Sequence, residues 1–286
     1  MKLKGIILAG GTGTRLGPVT LAVNKHVLPV YDKPMIYYSL SLLMLAGLTN
    51  VGIVSSPLGL NQLKRLLGDG SQIGICITYI EQSSPGGIPH ALICAKDFVC
   101  SDDVMVVLGD NFLFADNLAK RLRDFQKSFS SGCKVYLHNV KDAERFGVAK
   151  VDKGRVNLFV EKPKNFVSNL AVTGIYLFDA RLIDICENLI PSARGEVEII
   201  DVLNTYLEAG EAFHEILGRG VIWWDLGTSH SLLQASKFVE LTQQYDKRTL
   251  ANIFEISLNN NWTTEKAIKI SLSPYEGHFS KLYGQD

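Results

Sequence analysis

The residues with the clearest chemical potential lie near the start of the chain, where a short apolar run ends in glycines. The run Ile6–Ala9 is typical of a buried strand, and glycines follow it at positions 10, 11 and 13, before Arg15. Glycines let the backbone turn with positive φ and approach a ligand closely, so that N–H groups can point at phosphate oxygens. A guanidinium just beyond can hold a phosphate through paired hydrogen bonds. This segment predicts a site for a nucleoside triphosphate.

Glycines after a strand often mark only a tight turn, so the kind of loop matters. The segment is not a Walker loop, because no Gly-Lys-Ser/Thr sequence follows the glycines. It also differs from the dinucleotide-binding fingerprint, since Arg15 and Pro18 stand where that motif opens a helix. The full string through Lys25 and Pro29 is more restrictive than the glycines alone.

Two acids end apolar runs in separate parts of the chain. Asp110 follows the run Val104–Leu108, and Asp225 lies in Trp223–Thr228. Carboxylates from two strand ends can chelate one Mg²⁺ that also takes oxygens from a triphosphate. Each acid could instead cap a turn or a helix, since Asp favours both positions.

Further charged residues are candidates for binding a phosphate or a sugar. Lys25 stands before a strand-like apolar segment, and Lys162 ends a predicted strand, although most lysines are simply solvated. Glu161 could hydrogen-bond sugar hydroxyls or merely pair with the lysine beside it. Arg194, on a loop that ends in glycine, can clamp an anion or lie on the surface.

The elements that must position these groups alternate along the first half of the chain. Strands are predicted at 6–9, 51–55, 75–79, 104–108 and 134–140, and helices at 35–46, 61–67, 90–98 and 118–129. This βαβ series implies an α/β fold with a mainly parallel sheet covered on both faces. Ligands of such sheets bind at the carboxyl ends of the strands, where the glycine segment and Asp110 both lie.

After Gly147 the rhythm of the sequence changes. Short strands are predicted at 147–151, 156–161, 173–178 and 221–224, and helices at 180–189, 199–209 and 231–243. This favours a mixed extension of the sheet that forms the second wall of a cleft. We therefore expect one domain at 1–246 and a small C-terminal helical appendage at 247–286, with a helix near 264–270.

Composition narrows the class of protein. The 286 residues carry 29 basic and 29 acidic side chains, and 47% are hydrophobic. A formal net charge of zero argues against a general binder of nucleic acid or of a membrane surface. Five scattered cysteines without a CxxC pair indicate free thiols in a reducing cytosol rather than disulfides or zinc. We expect no signal peptide and a cytoplasmic protein.

Ordered motifs from Lys4 to about Gln243 carry a family resemblance. The chain resembles the sugar-1-phosphate nucleotidyltransferases, and within them the thymidylyltransferase branch that acts on glucose 1-phosphate. The matching segments are Gly5–Arg15, Lys25–Pro34, Leu67–Ser71, Val107–Asn111, Glu161–Pro163, Ala171–Tyr176, Ala193–Glu196, Glu198–Asp201, Ile216–Gly220 and Trp224–Thr228. The resemblance implies a Rossmann-like three-layer sandwich with a mixed, mainly parallel central sheet.

The resemblance also implies an activity. It is the Mg²⁺-dependent conversion of dTTP and α-D-glucose 1-phosphate to dTDP-glucose and pyrophosphate, the first step of dTDP-deoxysugar biosynthesis such as that of dTDP-rhamnose. The nucleotide-binding part would span about 1–140 and the sugar-phosphate-binding part about 141–246. A homotetramer is implied, with the appendage as a regulatory or subunit contact.

Site residues follow from the same resemblance. Those implied in catalysis are Arg15, Lys25, Asp110, Lys162 and Asp225, of which Asp110 and Asp225 hold the metal. Those implied in nucleotide binding are Leu8, Gly10, Gly11, Gly13, Thr14, Arg15, Gln82, Gly87 and Asp110. Those implied in sugar-phosphate binding are Gly147, Glu161, Lys162, Val172, Tyr176 and Arg194.

Several departures from the family pattern leave substrate preference open. Where this chain has Phe146, Pro89 and His90, the family usually has a tyrosine, a small residue and a longer polar residue. These positions flank the expected base and sugar pockets. The same chemistry with UTP, or with an amino- or deoxy-hexose 1-phosphate, is one alternative. A non-catalytic subunit that senses nucleotide sugars is another. The tail after Lys247 diverges most, which weakens the inference of feedback control.

Overall fold

The computed structural model describes residues 2–191, 195–246 and 249–272. Its strands are β1 Leu3–Leu8, β2 Pro29–Val30, β3 Lys33–Pro34, β4 Asn50–Ser55, β5 Cys76–Glu81, β6 Asp103–Leu108, β7 Asn111–Phe114, β8 Cys133–Asn139, β9 Gly147–Asp152, β10 Arg155–Glu161, β11 Leu170–Phe178, β12 Ala212–Ile216 and β13 Ile222–Asp225. Its helices are α1 Met35–Leu45, α2 Pro57–Leu67, α3 Gly87–Cys94, α4 Lys96–Val99, α5 Leu118–Lys127, α6 Leu182–Glu187, α7 Ile199–Glu208, α8 Ser229–Asp246, α9 Ile253–Asn259 and α10 Glu265–Leu272.

A mixed sheet forms the centre of the protein. Strands β5, β4, β1 and β6 lie side by side in parallel, and β11 joins antiparallel to β6. Strand β8 pairs with the other edge of β11 and carries β12 in parallel. The hairpin of β9 and β10 attaches to β11 at Ala171, beyond the part of β11 that pairs with β6. This hairpin therefore extends the sheet past the carboxyl end of β6.

Apolar side chains cover both faces of this sheet. On one face α1 packs with α5, and ten of its residues, Met35 through Met44, are buried. On the other face α3, α6 and α7 pack against one another. Because the central strands are buried on both faces, they are nearly continuous apolar runs, as in Val104–Val107. The predicted three-layer α/β architecture with a mixed sheet is confirmed.

A smaller ribbon brings two distant segments together. Strand β7 pairs antiparallel with β13, so that Asn111 lies opposite Asp225. Helix α8 covers the ribbon, and Phe112, Trp224 and Phe238 form an aromatic cluster there. This ribbon places Asp225 next to the carboxyl end of β6.

Some element boundaries differ from the sequence prediction. Helix α2 begins at Pro57 rather than at residue 61, because the Ser56 hydroxyl accepts a hydrogen bond from the Gly59 N–H (3.3 Å) and proline suits the first helical position. The helix predicted at 90–98 begins earlier, at Gly87, and is interrupted at Ala95. Strands β7 and β12 and helix α9 were not predicted.

The C-terminal helices α9 and α10 share the core beside α1, through Ile253, Phe254 and Ile268. Helix α9 contacts α1, and the Ser257 hydroxyl donates to the backbone oxygen of Ile73 (2.6 Å).

Across the described ranges, no helix combines the length and apolar character that a membrane span requires.

Candidate functional site

A cleft of about 280 Å³ opens where β1 and β6 end. Nine of the residues predicted to bind substrate line it, from the glycine segment at one side to the β9–β10 hairpin at the other: Leu8, Gly10, Gly11, Lys25, Gln82, Gly87, Asp110, Glu161 and Lys162. Further residues that line the cleft were not assigned a site role from the sequence: Pro85, Ile88, Ala91, Leu108, Glu196, Val197, Glu198 and Ile199. The cleft thus joins the predicted nucleotide side to the predicted sugar-phosphate side.

The glycine segment turns sharply after β1. Gly11 and Gly13 have φ of 86° and 62°, a region in which a side chain would be strained. Thr14 opens a short 3₁₀ turn, Thr14–Leu16, and also lines a neighbouring groove. The Arg15 side chain is 58% exposed, so its guanidinium extends into solvent beside the cleft. The segment has the form expected of an anion-binding loop.

Lys25 and Asp110 form an ion pair inside the cleft. Lys25 Nζ lies 2.5 Å from Asp110 Oδ2, and both side chains are largely buried. Burial by itself would raise the pKa of Asp110, but the charge of Lys25 and the hydrogen bond that it donates contribute most to lowering that pKa to about 2. The carboxyl is therefore ionised at neutral pH, and it holds the lysine where it can meet a phosphate.

Asn24 holds the turn that carries Lys25, a role that sequence reasoning missed. The Asn24 amide donates to the backbone oxygen of Ala9 (3.3 Å) and to Ser55 Oγ (3.2 Å), at the ends of β1 and β4. Its Oδ1 accepts from the backbone N–H and from Nδ1 of His26, at 2.8 and 2.7 Å. Burial and the Lys25 charge lower the pKa of His26 to about 3, so the ring is neutral. Nothing in the sequence pattern marked this network, because its partners are distant in the chain.

Asp225 reaches the same region from the β7–β13 ribbon. Its Oδ1 accepts a hydrogen bond from the Gly227 N–H (2.8 Å), and its Oδ2 lies 3.5 Å from Arg15 Nη2. The Leu226 N–H donates to the backbone oxygen of Asp110 (2.8 Å), which ties the two acidic segments together. Burial and the negative charge of Asp110 raise the pKa of Asp225. Two neighbouring carboxylates that repel each other are a donor set that suits a hard divalent cation.

Gln82 and Gly87 lie at the end of the cleft that is predicted to take the nucleotide. The Gln82 side chain, 8% exposed, points between Gly10 and Gly87. Opposite, the Val197 N–H donates to the backbone oxygen of Gly86 at 3.3 Å. This bond links the turn before α3 to the segment before α7, and so closes that end of the cleft.

The β9–β10 hairpin supplies the opposite wall. Glu161 ends β10, directly opposite Gly147 in the ladder. Lys162 has a φ of 41°, which is uncommon for a residue with a side chain, and its N–H donates to the backbone oxygen of Phe146 (3.1 Å). Its Nζ lies 3.2 Å from Glu161 Oε1. The backbone therefore turns at Lys162 so that its ammonium lies along the cleft wall.

Two of the predicted sugar-site residues lie in the core and are not among those that line the cleft. Val172 and Tyr176 are buried in β11, where Tyr176 stacks on Phe178 with ring centroids 5.7 Å apart. Burial, with the charges of Glu161 and Asp110, raises the pKa of Tyr176, so its hydroxyl is neutral. Arg194 lies outside the described residues.

Comparison with known proteins points to one family. The nucleotidyl transferase family profile matches residues 4–242. The glucose-1-phosphate thymidylyltransferase of Neisseria meningitidis serogroup A is 44% identical over 268 residues, which cover 93% of each chain.

Solved structures agree with the sequence comparison. A protein from Bacillus anthracis described as a glucose-1-phosphate thymidylyltransferase, in a crystal structure with sucrose, has a TM-score of 0.77 at 40% identity and covers 83% of this chain and 95% of its own. A UDP-glucose pyrophosphorylase in complex with UDP-glucose has a TM-score of 0.73 at 24% identity over 87% of this chain and all of its own, a likeness of fold alone.

Proposed function

Since this chain belongs to the nucleotidyl transferase family and, within it, to the glucose-1-phosphate thymidylyltransferases, we propose that it joins dTTP to α-D-glucose 1-phosphate, giving dTDP-glucose and pyrophosphate. The observation that carries the proposal is the single cleft. Lys25 and the glycine segment line one side of it, and Glu161 and Lys162 line the other. Two anionic substrates can therefore meet between two cationic groups.

The reaction needs no general base on the protein. A sugar 1-phosphate is largely dianionic at neutral pH, because the second pKa of a phosphate monoester is about 6. One of its oxygens attacks the α-phosphorus of dTTP, and the bond from that phosphorus to the bridging oxygen of pyrophosphate breaks in line. The protein brings two anions together and offsets the negative charge that develops.

Four cationic side chains divide this work. Arg15 and the backbone N–H groups from Gly10 to Thr14 hold the triphosphate. Lys25 lies between that loop and Asp110, and it stabilises the departing pyrophosphate. Lys162 holds the phosphate of the sugar, together with Arg194. These cations would offset the phosphate charges that otherwise repel each other.

Other residues select the base and the sugar. Leu8, Gln82 and Gly87 lie at the end of the cleft that would take the thymine. Glu161, beside Gly147, accepts hydrogen bonds from hexose hydroxyls, and Val172 supports that wall from within β11. Tyr176, buried in the same strand, would support this wall from the core.

Enzymes of this family generally use a divalent metal, and we assign Mg²⁺ to Asp110 and Asp225. The two carboxylates supply the oxygen ligands that such a cation prefers. Burial and the nearby charge of Asp110 raise the pKa of Asp225, and a cation between the two groups would relieve their repulsion. When bound, the cation would neutralise part of the triphosphate charge and help to orient it. Asp110 keeps its negative charge for this purpose because Lys25 lowers its pKa.

Pyrophosphate release from crossed substrates tests the activity. Wild-type protein is given dTTP or UTP with glucose 1-phosphate, glucosamine 1-phosphate or N-acetylglucosamine 1-phosphate, each with Mg²⁺. Preference for dTTP and glucose 1-phosphate supports the proposal. Preference for another pair retains the chemistry and changes the specificity, and folded protein that binds nucleotide without turnover supports a sensing subunit instead.

We also propose a cytoplasmic enzyme that acts as a homotetramer and supplies dTDP-glucose to deoxysugar biosynthesis. All five cysteines are free thiols, which suits a reducing compartment. The catalytic domain would span 1–246, and the appendage from 247 would contribute to subunit contact or to feedback control.

A further inference from the structure

The side-chain amide of Gln82 has a fixed orientation. Its Nε2 lies 3.3 Å from the backbone oxygen of Gly87 and 3.1 Å from His90 Nδ1. A backbone oxygen can only accept, so the amide atom that faces Gly87 is the nitrogen. The amide oxygen then lies on the opposite side, at Gly10, where a β-carbon would be only 2.8 Å from it. Gln82 therefore presents an acceptor to the base end of the cleft.

His90 completes a directional chain of hydrogen bonds. Because the Gln82 nitrogen is a donor, His90 Nδ1 must accept, and the ring proton lies on Nε2. That nitrogen is 4.0 Å from the sulfur of Cys94, one helical turn further along α3. Burial raises the pKa of the Cys94 thiol, so the sulfur is uncharged and can accept weakly. The tautomer and the amide orientation thus support each other.

The turn before α3 is shaped to admit the ring. A β-carbon at Gly86 would lie 2.7 Å from Cγ and 2.8 Å from Nδ1 of His90. Only a residue without a side chain at 86 leaves His90 room beside Gln82. The imidazole is therefore a fitted part of the pocket wall.

We propose that His90 is a positioning residue that turns the Gln82 carbonyl towards the nucleobase and so selects a pyrimidine with a donor at N3. This rests on the proposed function, in which Gln82 contacts the base. Thymine and uracil carry an N–H at N3, whereas cytosine has a lone pair there. Against cytosine the Gln82 oxygen would face an acceptor and stay unpaired, which a buried site penalises. His90 therefore favours binding of thymine or uracil over cytosine, and it does not discriminate between thymine and uracil.

Two variants of His90 test the role. His90→Leu keeps the bulk and removes the acceptor, whereas His90→Asn places an oxygen close to the position of Nδ1. We expect the ratio of kcat/KM for dTTP over dCTP to fall about fivefold to tenfold in His90→Leu, the value of one neutral hydrogen bond. The loss should appear in the KM for dTTP, with kcat and the KM for glucose 1-phosphate retained, and His90→Asn should restore the ratio. Gly86→Ala should displace the ring and behave like His90→Leu.

The same variants separate this inference from the proposed function. If wild-type protein does not turn over dTTP, the proposed function fails, and selectivity is then read from Kd values for dTTP and dCTP by calorimetry. A smaller preference for dTTP over dCTP in His90→Leu, measured as the ratio of the Kd for dCTP to the Kd for dTTP, still supports the positioning role. An unchanged ratio in His90→Leu, an equal loss for both nucleotides, or no preference for dTTP in the wild type overturns it.

Discussion

Replacing Lys25 with methionine should destabilise the protein through Asp110. Lys25 Nζ and Asp110 Oδ2 are 2.5 Å apart, and the two side chains are only 14% and 13% exposed. Methionine keeps the length of the side chain and removes its charge. The variant therefore leaves a buried carboxylate without its main partner.

The size of the effect follows from the pKa of Asp110. The pair lowers that pKa from 3.8 to about 2, although burial acts in the opposite direction. At about 1.4 kcal/mol per pKa unit, the ionised carboxyl contributes about 2 kcal/mol to stability. Without Lys25, nothing offsets the free-energy cost of burying the ionised Asp110. We therefore expect the free energy of unfolding to fall by about 3 kcal/mol, at the lower end of what breaking a buried pair costs.

The pH dependence identifies the cause. In the wild type the pKa of Asp110 is lowered on folding, so its contribution is complete above its ordinary pKa and is lost as the pH falls through about 2. In Lys25→Met the Lys25 charge no longer offsets burial, so burial raises the pKa of Asp110. Asp110 then takes up a proton on mild acidification, and the penalty is relieved. The stability gap between the two proteins should narrow as the pH falls from 7 towards 4.

Urea unfolding at several pH values measures the gap, and an exposed ion pair provides the control. Lys120 Nζ and Asp124 Oδ2 are also 2.5 Å apart, but their side chains are 78% and 54% exposed. Lys120→Met should change stability by less than about 0.5 kcal/mol at any of these pH values. A loss below about 1 kcal/mol in Lys25→Met at pH 7, or a gap that is constant with pH, would refute the reasoning.

Three further predictions concern neighbouring groups. Lys162→Ala should lower kcat/KM for glucose 1-phosphate by about 100-fold or more while leaving the urea midpoint unchanged, because the side chain is half exposed and contacts mainly Glu161; a near-normal rate would remove it from the mechanism. Asp225→Asn should raise the metal-free melting temperature at pH 7, since the raised pKa of Asp225 means that folding disfavours its charged form. It should also abolish the stabilisation that Mg²⁺ gives the wild type. Equal stabilisation of both proteins by Mg²⁺ in thermal melts would contradict the metal assignment. Asn24→Ala should cost about 2 kcal/mol in urea unfolding, because the donors of buried His26 lose their acceptor; an unchanged midpoint would show that the network is dispensable.

Much of the fold could be predicted because local and tertiary signals agree. The central strands are buried on both faces, so their apolar runs identify them directly, and the positions of the glycine segment and Asp110 follow from the rule that ligands bind at strand ends. The family resemblance supplied the other residues, such as Gln82 and Glu161, and nine of the residues named in this way line one cleft.

Other features depend on contacts that a single sequence does not display. Strand β12 has no apolar run, and half-exposed residues such as Phe213 and Ile216 form it because β8 offers an unpaired edge. Tyr176 matched a motif, yet its ring lies in the core, because β11 is buried along most of its length. Asn24 and the segment at Val197 act through backbone groups of distant loops, which residue types do not reveal.

The central claim is that an oxygen of the sugar phosphate attacks the α-phosphorus of dTTP in this cleft. Wild-type protein with Mg²⁺, dTTP and glucose 1-phosphate labelled with ¹⁸O in all four phosphate oxygens tests it by mass spectrometry of the products. The account predicts dTDP-glucose that retains all four labelled oxygens, and unlabelled pyrophosphate. Label in pyrophosphate, or the absence of dTDP-glucose, would contradict it.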